Sequence, residues 1–309
     1  MKSKSMNEMP LSDFAYFPEL KKPLEENKMR EPVVSGLFYD PDENGLQKEV
    51  DRLYSAAKDK TKYSDKTFGA VCPHAGYIFS GKTAAAAIGS IMEADTYVII
   101  GSNHTGLGEA LAYSQEDWKT PLGVVETDKY LGRIFDGTWI VRDESAHERE
   151  HSVEVIVPFL QRKMGDEPFK IFPIVMGDQN KAAAEAIASV LIPVLKEEIY
   201  VKKENYEEKL KIAVIASSDF SHYVPEEFAK EHDEAIIKII ESLDVDAFYD
   251  FIEKNDSSLC GYGPIAVLMM AAKAMNAEAK LLEYRTSNEE KESRETAVVG
   301  YAAITFTKQ

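Results

Sequence analysis

From Val33 onward, short apolar runs alternate along the chain with segments in which apolar residues recur every three or four positions. Runs of the first kind are typical of buried strands, and segments of the second kind are typical of helices. The strand runs are TFGAVC, TYVIIG, KIFPIVMG and KIAVIASSD, and KLLEYRT and AVVGYAAITF follow near the end of the sequence. This alternation predicts an α/β protein with a largely parallel central sheet, which the two late strands would make mixed.

Helices are predicted between these strands. They cover NGLQKEVDRLYSAAK, SGKTAAAAIGSIM, HSVEVIVPFLQRKM, residues 180–199, 226–242 and 246–254, and GPIAVLMMAAKAM. Ser80 is a candidate N-cap of the second helix, and Pro158 predicts a kink in the third. Pro264 lies near the start of the last helix, where proline is favoured. Residues 109–142 are expected to form short antiparallel strands or irregular structure, and residues 203–211 a surface loop.

The domain organisation follows from where this periodicity begins. Residues 1–29 are polar, contain three prolines and show no sustained period, which predicts an N-terminal extension. After residue 30 the sequence shows neither a linker nor an internal repeat of roughly 20–50 residues. We therefore predict a single α/β domain over residues 30–309, with helices flanking its central sheet.

The charge balance argues against some partners. Lys and Arg number 36 and Asp and Glu number 53, so the net charge is −17. An acidic chain disfavours a nucleic-acid interface, which needs a basic patch. No apolar run approaches the ~18 residues that span a bilayer, and the N-terminal sequence lacks the pattern of a secretory signal. Because two cysteines do not make a disulfide framework, we expect Cys72 and Cys260 to be free thiols in the cytoplasm.

Four of the six histidines stand in short polar loops beside predicted strands or helices. His74, His104 and His222 follow apolar strands, and His151 begins a helical segment. Loops that leave the carboxyl ends of parallel strands converge on one crevice, where open α/β sheets bind their ligands. Each histidine alone is also typical of an exposed turn. It is the repetition at successive strand ends that predicts a metal or acid–base site.

Other groups in these loops suit catalysis. Asp219 lies three residues before His222, so its carboxylate is a candidate to orient that imidazole for general acid–base work. Cys260 stands just before a predicted helix, whose N-terminus favours a thiolate as ligand or nucleophile. Cys72, inside an apolar strand, is instead expected to be a small buried residue.

Further predictions concern the residues before His104, the other two histidines and the motifs that the sequence lacks. Ser102 and Asn103 precede His104 and are candidates to orient its ring by hydrogen bonds, as metal-binding histidines require. His147 and His232 stand among charged residues, and we expect both to be exposed to solvent. The sequence contains no GxGxxG, P-loop or GxSxG motif, so no nucleotide cofactor and no ordinary serine hydrolase are expected.

Two imidazoles and a thiolate make a donor set for zinc, copper or iron, because sulfur is a soft ligand and imidazole suits all three metals. Three protein ligands would also leave a coordination position open for water, oxygen or a substrate. The sequence has no CxxC pair, so the prediction of a metal site depends on the placement of these residues and not on a short cysteine motif.

Five motifs in this order resemble the Memo family, whose microbial branch is called AmmeMemoRadiSam system protein B. They are PHAGYIFSG, GSNHTG, EHSVEVIVPFLQ, SSDFSHY and CGYGPIAVLM, and the opening REPVVSGLFYDPD resembles the family's start. The resemblance covers about residues 30–307. It implies a fold similar to the class III extradiol dioxygenases, which are non-haem iron enzymes. The family name also implies a radical-SAM protein as partner.

By this resemblance the metal pocket falls on His74, His104 and Cys260. The implied acid–base or neighbouring pocket residues are His222, Asp219 and His151. The dioxygenases bind iron with two histidines and a carboxylate, whereas a cysteine in third place shifts the preference towards copper or zinc. GSNHTG also departs from the histidine pair of many relatives, because Thr105 takes the second position.

Three functions follow from these residues. The first is a metal-binding redox protein that holds iron or copper, with zinc as a third candidate, and acts on a small molecule or oxygen. The second is a non-catalytic module that captures a peptide or protein segment in the same pocket. The third is a hydrolase in which a neighbouring histidine activates Cys260 as a nucleophile.

Overall fold

The computed structural model describes residues 28–196, 200–202, 207–290 and 295–309. The strands are β1 (Met29–Arg30), β2 (Thr67–Cys72), β3 (Thr96–Ser102), β4 (Leu111–Tyr113), β5 (Asp117–Thr120), β6 (Gly123–Thr127), β7 (Val141–Arg142), β8 (Lys170–Met176), β9 (Tyr200–Lys202), β10 (Glu207–Lys209), β11 (Ile212–Ser217), β12 (His222–Val224), β13 (Ala277–Thr286) and β14 (Val298–Lys308). The helices are α1 (Glu43–Ala56), α2 (Tyr77–Ser90), α3 (Lys129–Phe135), α4 (Val157–Met164), α5 (Lys181–Lys196), α6 (Glu226–Ser242), α7 (Val245–Asn255) and α8 (Tyr262–Ala274).

One large mixed sheet organises the chain. Its strands lie in the order β1-β5-β6-β8-β3-β11-β2-β14-β12, with β13 beside β14 and β4 beside β8 and β7. The four central strands β8, β3, β11 and β2 run parallel to one another. β14 is antiparallel to β2, and β13 is antiparallel to β14. The predicted single α/β domain with a mixed central sheet is therefore confirmed, and the sheet does not close into a barrel.

Helices cover both faces of this sheet. Successive side chains of a strand point to opposite faces, so Val98 and Ile100 of β3 enter one core while Tyr97 and Ile99 enter the other. The first core includes residues of α5 and α8, and the second includes residues of α1, α2 and α4. Because both faces are buried, the central strands read as continuous apolar runs rather than alternating ones.

The strand order determines where the polar loops meet. β11 comes late in the chain but lies between β2 and β3, with Ser217 paired to Cys72 in register and Ala216 paired to Ile100. The loops after these three strands therefore leave the same edge of the sheet side by side. This is the edge at which open α/β sheets bind ligands.

Several local predictions need correction. α2 begins at Tyr77 with Gly76 as its N-cap, so Ser80 is not the cap; its hydroxyl donates to the Ala75 carbonyl instead. Residues 151–164 are not one kinked helix: a 3-10 turn, Glu154–Ile156, precedes α4. Pro158 lies in the first turn of α4, where its missing N–H costs no helical hydrogen bond.

The remaining segments differ less from expectation. Pro264 lies in the first turn of α8. Part of the predicted loop at 203–211 is strand β10, which pairs antiparallel with β9, and residues 203–206 lie outside the described residues. Residues 1–27 of the predicted extension also lie outside the described residues. Its last residue, Met29, belongs to β1, which pairs in parallel with β5. No helix in the described part of the chain has the length and hydropathy to span a bilayer.

Candidate metal centre

Three of the predicted residues meet where the central strands end. His74 follows β2, His104 follows β3, and Cys260 precedes α8. A ring nitrogen of each histidine and the sulfur of Cys260 all lie within 4.8 Å of one another. The Cys260 Sγ is 3.3 Å from Nε2 of His74, and the two imidazole centroids are 5.2 Å apart. The structure thus brings together the two histidines and the cysteine that the sequence singled out.

The backbone at Cys260 is held from several sides. Its carbonyl accepts hydrogen bonds from Ser102 Oγ at 2.6 Å and from Gln179 Nε2 at 2.8 Å. The next residue, Gly261, packs so closely on β11 that a Cβ there would lie 2.4 Å from the Ser217 carbonyl oxygen. Any side chain at Gly261 would force the cysteine away from the two histidines.

Hydrogen bonds fix the proton of His74 on one nitrogen. Ser217 Oγ donates to the carbonyl of Ser152 at 2.6 Å, so it has no second proton and must accept from Nδ1 of His74, 2.8 Å away. Nε2 is then unprotonated and faces Cys260. His74 is 2% exposed, and burial together with the neighbouring His104 holds its pKa well below the ordinary value. The ring is therefore neutral, as a metal ligand must be.

His104 is oriented in the same way by a different group. Glu150, which is fully buried, accepts from Nδ1 of His104 at 2.9 Å and from its backbone N–H at 2.5 Å. It also accepts from the backbone N–H groups of His151 and Ser152, both at 2.8 Å. Burial raises the pKa of Glu150, but the hydrogen bonds outweigh it and lower the pKa to about 2. An ionised carboxylate behind the imidazole is the arrangement that orients metal-binding histidines.

Glu150 is a residue that sequence reasoning missed. The predicted orienting groups have other partners: Ser102 bonds to Cys260, and Asn103 Nδ2 donates to the Leu107 carbonyl at 2.7 Å. The segment HERE holds two glutamates, of which Glu148 is exposed and Glu150 is buried. Because this segment has no regular periodicity, nothing in the local pattern distinguishes them.

His151 belongs to the same cluster of rings. It stacks on His104 with centroids 4.7 Å apart and meets His74 edge-on at 5.5 Å. Its Nδ1 lies 3.4 Å from Glu150 Oε1, and burial lowers its pKa despite that carboxylate. His104, Glu150 and His151 are near enough to form a second donor group. The oxygens of Glu150 already accept four hydrogen bonds, however, so we assign this carboxylate to orientation rather than to ligation.

The predicted Asp219–His222 pair does not form a hydrogen bond. Nδ1 of His222 lies 2.8 Å from the Ser258 carbonyl, which can only accept, so its Nε2 is unprotonated in the neutral ring. Asp219 Oδ1 accepts from the backbone N–H of His74 at 2.8 Å. Burial raises the pKa of Asp219 to about 6, against the opposing hydrogen bond from His74 and the charge of His222. Both residues nevertheless flank the centre.

Comparison with known proteins agrees with the motifs. The sequence model of the family described as Memo-like protein matches residues 30–305.

The chain belongs to the Memo family. A MEMO1 family protein of Methanosarcina acetivorans is 42% identical over 278 residues, which cover 90% of this chain and 98% of the relative. A MEMO1 family protein of Methanococcoides burtonii is 43% identical over 277 residues, covering 89% and 99%. A MEMO1 family protein of Saccharolobus solfataricus is 37% identical over 292 residues, covering 90% and 99%. The resemblance predicted from five motifs is confirmed, whereas the likeness to extradiol dioxygenases stays a prediction.

In this Memo family chain the thiol of Cys260 differs from expectation. Burial and the neighbouring Asp219 raise its pKa, although the Asp219 N–H points at the sulfur from 3.2 Å. The predicted stabilisation of a thiolate by the start of α8 is therefore outweighed. A cation bound between the imidazoles would reverse this balance, because metal binding displaces the thiol proton.

One further motif has the spacing of a zinc site, and the tertiary structure shows whether its residues can form one. HEREH, residues 147–151, has the HExxH spacing that places two zinc ligands on one face of a helix. In this Memo fold the segment forms turns, and His147 is fully buried edge-on to Trp118, with centroids 6.0 Å apart. The motif is therefore not a helical zinc site.

The predicted exposure of the other two histidines is wrong. His147 lies in the interior, and burial lowers its pKa to about 4. The His232 side chain is 7% exposed and lies between Phe228 and Phe251, with ring centroids 5.5 Å and 5.1 Å away. A charged neighbour along the chain does not ensure exposure, because Asp233 is itself buried and its Oδ1 lies 3.2 Å from Nδ1 of His232. Cys72, by contrast, is a free and fully buried cysteine, as predicted.

Proposed function

We propose that this chain binds iron or copper through Nε2 of His74, Nε2 of His104 and Sγ of Cys260, and acts as an oxidoreductase on a small molecule or oxygen. The observation that carries the proposal is the shared orientation of the two imidazoles. His74 donates its Nδ1 proton to Ser217 and turns an unprotonated Nε2 towards Cys260, and His104 donates its Nδ1 proton to the buried Glu150, which leaves its Nε2 as the nitrogen for a metal. This is how proteins prepare histidines for a metal.

The donor set also bears on the choice of metal. A thiolate with two imidazoles suits copper and zinc as well as iron, because sulfur is a soft ligand. Three protein ligands leave room for an exogenous molecule. A bound iron or copper ion would supply one-electron redox chemistry there, and zinc would supply only Lewis acidity.

Three protein groups beside the proposed ligands are suited to moving protons. In its neutral form His222 presents an unprotonated Nε2, because the Ser258 carbonyl accepts from its Nδ1. Asp219, with its pKa raised to about 6, can exchange a proton near neutral pH. His151 stacks directly on the proposed ligand His104. We assign to these three residues the transfer of protons to and from a bound small molecule.

The test is the metal content of the anaerobically purified protein. We expect near-stoichiometric iron or copper in the wild type and its loss in His74→Ala, His104→Ala and Cys260→Ser. Cys72→Ser is the matched control, because Cys72 is buried and is not a member of the donor group. Unchanged metal content in all three ligand variants would refute the proposal.

A second variant separates proton transfer from metal binding. His222→Gln removes the free Nε2 but none of the three proposed ligands, so the metal should remain while turnover is lost. Equal loss of metal in His222→Gln and Cys260→Ser would instead make His222 a ligand.

One observation favours a second function. The sulfur of Cys260 lies 3.3 Å from His74 Nε2, which is the contact of a thiol with a general base. Stoichiometric alkylation of Cys260 by iodoacetamide at mildly acidic pH, in protein that contains no metal after reconstitution, would support a cysteine nucleophile. Protection of that thiol by added metal would support the metal centre.

A further inference from the structure

We propose that Arg30 is a positioning residue of the candidate metal centre, which holds the segment 147–154 so that Glu150 can orient the ring of His104. This inference rests on the proposed function, because it concerns how one of the proposed ligands is held. Arg30 lies in β1 and touches none of the three ligands.

The guanidinium of Arg30 is bonded in three directions. Nε donates to the His147 carbonyl at 3.2 Å, Nη2 donates to the Glu150 carbonyl at 2.6 Å, and Nη1 forms an ion pair with Glu154. The same group lies over the ring of Trp118, 4.3 Å from its centroid. Arg30 is 5% exposed and Glu154 is fully buried, so the contacts are made away from water. One side chain therefore ties the start, middle and end of the segment together.

Two serine hydroxyls also anchor this segment, from Ser217 to the Ser152 carbonyl at 2.6 Å and from Ser152 to the Ser102 carbonyl at 2.9 Å, but it is Arg30 that bonds to the Glu150 backbone itself. Residues 147–153 form turns rather than a helix or strand, so their backbone positions depend on side-chain contacts. Glu150 is held at both ends: its carbonyl accepts from Arg30, and its carboxylate accepts from His104. A shift of the Glu150 backbone would therefore change the hydrogen bond that determines the tautomer of His104.

Glu154 extends the same network to the other side of the cluster. Its carboxylate also accepts from the backbone N–H groups of Val33 and Val34 and from the Tyr39 hydroxyl at 2.7 Å. The turn so held contains Phe38, whose ring packs edge-on against His151 at 5.1 Å. Without Arg30, Glu154 would be a buried charge without its cation, which is strongly unfavourable.

The other proposed ligand provides an internal reference. His74 donates its Nδ1 proton to Ser217, which lies in the central strand β11. Ser217 is held in β11 by the pairing of that strand with β2 and β3, and it meets the segment through its hydrogen bond to the Ser152 carbonyl rather than through Arg30. Loss of Arg30 should therefore change the hydrogen bond of the His104 ring and leave that of the His74 ring unchanged. A general loosening of the fold would change both.

The experiment compares Arg30→Met with Arg162→Met. Both substitutions remove an arginine that pairs with a carboxylate, but Arg162 lies in α4, after the segment, and pairs with Asp51 at the surface, 2.9 Å away. The readouts are the imidazole ¹⁵N shifts of histidine-labelled, metal-free protein and the affinity for Co²⁺ added alone. We expect Arg30→Met to lose the Nδ1–H signature of His104, keep that of His74, and bind Co²⁺ roughly 10–100-fold more weakly. Arg162→Met should match the wild type in both.

Arg30→Lys keeps the inference testable if Arg30→Met does not fold. Lysine retains the positive charge beside Glu154, but its compact ammonium lacks the wide planar fork with which the guanidinium reaches all three of its partners at once. We expect a folded protein with the same selective change at His104. An unchanged His104 signature and unchanged Co²⁺ affinity in folded Arg30→Lys or Arg30→Met would overturn the inference. Failure of the wild type to bind Co²⁺ would count against the proposed function alone, because the ¹⁵N shifts still report on Arg30.

Discussion

The two sides of the candidate centre contain buried carboxylates whose pKa values are shifted in opposite directions. On the His104 side, Glu150 accepts four hydrogen bonds, and these lower its pKa to about 2. On the His74 side, Asp219 is also buried, but burial prevails there and raises its pKa to about 6. Glu150 is thus an ionised group that orients a ring, and Asp219 is a group that can carry a proton.

The difference teaches that burial alone does not decide what a carboxylate does. Desolvation penalises the ionised form of both residues, and the number of donors that face each oxygen pair determines the outcome. Under the proposed function, Glu150 would orient a ligand and Asp219 would carry a proton. The following predictions test this contrast, beginning with the largest expected effect.

Replacing the two carboxylates by their amides should have unequal consequences. Glu150→Gln places an NH₂ group against backbone and imidazole donors, and we expect it to lower the free energy of unfolding by ~2–3 kcal/mol, because buried N–H groups lose their acceptor. Asp219→Asn keeps an oxygen for the His74 N–H and removes a buried charge, so a change below ~1 kcal/mol is expected. Urea unfolding of the metal-free variants measures both.

Equal losses in the two amide variants would contradict the contrast. Glu148→Gln is the matched control, since Glu148 is exposed in the same segment, and its substitution should leave the unfolding free energy unchanged.

The segment that carries Glu150 should lose stability in acid through His147. Burial lowers the pKa of His147 to about 4 in the folded chain. Between about pH 6.5 and 4, His147 is therefore protonated in the unfolded chain and neutral in the folded chain. This contribution to stability is complete above about pH 6.5 and is lost as the pH falls through that window. Between about pH 7 and 5 we expect His147 to account for a loss of ~2 kcal/mol.

Urea unfolding of wild type and His147→Gln at the two pH values isolates this contribution. The variant can be less stable at both, but its stability should fall less between them. Parallel pH profiles would show that His147 does not titrate in this range.

On the other side of the centre, Ser217→Ala should loosen His74. The substitution removes the acceptor of the His74 Nδ1 proton and the donor to the Ser152 carbonyl. We expect a loss of ~1–2 kcal/mol in the unfolding free energy. The ¹⁵N shifts of His74 should change while those of His104, which Glu150 holds, remain. A change at both rings would mean that the two sides are not independent.

The smallest effect is expected at Tyr223, next to His222. Its φ of 55° lies in the left-handed region and its side chain is 81% exposed, whereas the described segment 147–154 has no non-glycine residue with positive φ. Asparagine tolerates this conformation better, so Tyr223→Asn should raise the unfolding free energy by ~0.5–1 kcal/mol. A loss measured by urea unfolding would show that Tyr223 makes contacts that outweigh the strain.

Much of the fold was predictable because burial leaves a local signature. Strands covered on both faces must be apolar throughout, and β2, β3, β8 and β11 were recognised from that feature alone. Residues 151–164 were predicted as one helix because their apolar spacing continues through the 3-10 turn before α4. Spacing reports which side is buried and not which hydrogen-bond pattern the backbone adopts.

By itself the sequence determined the α/β class, the family, and the placement of His74, His104 and Cys260 at the ends of elements that converge. Only the tertiary structure decided which groups orient them: Glu150, Ser217 and the Ser258 carbonyl rather than sequence neighbours. The tertiary structure also shows that HEREH does not form a helical zinc site and that Arg30 bonds to the backbone of this segment. The reason is that a buried strand is apolar in consecutive residues, which can be read from the sequence. A hydrogen-bond partner, by contrast, comes from a distant segment, and the strand order determines which distant segments are in contact.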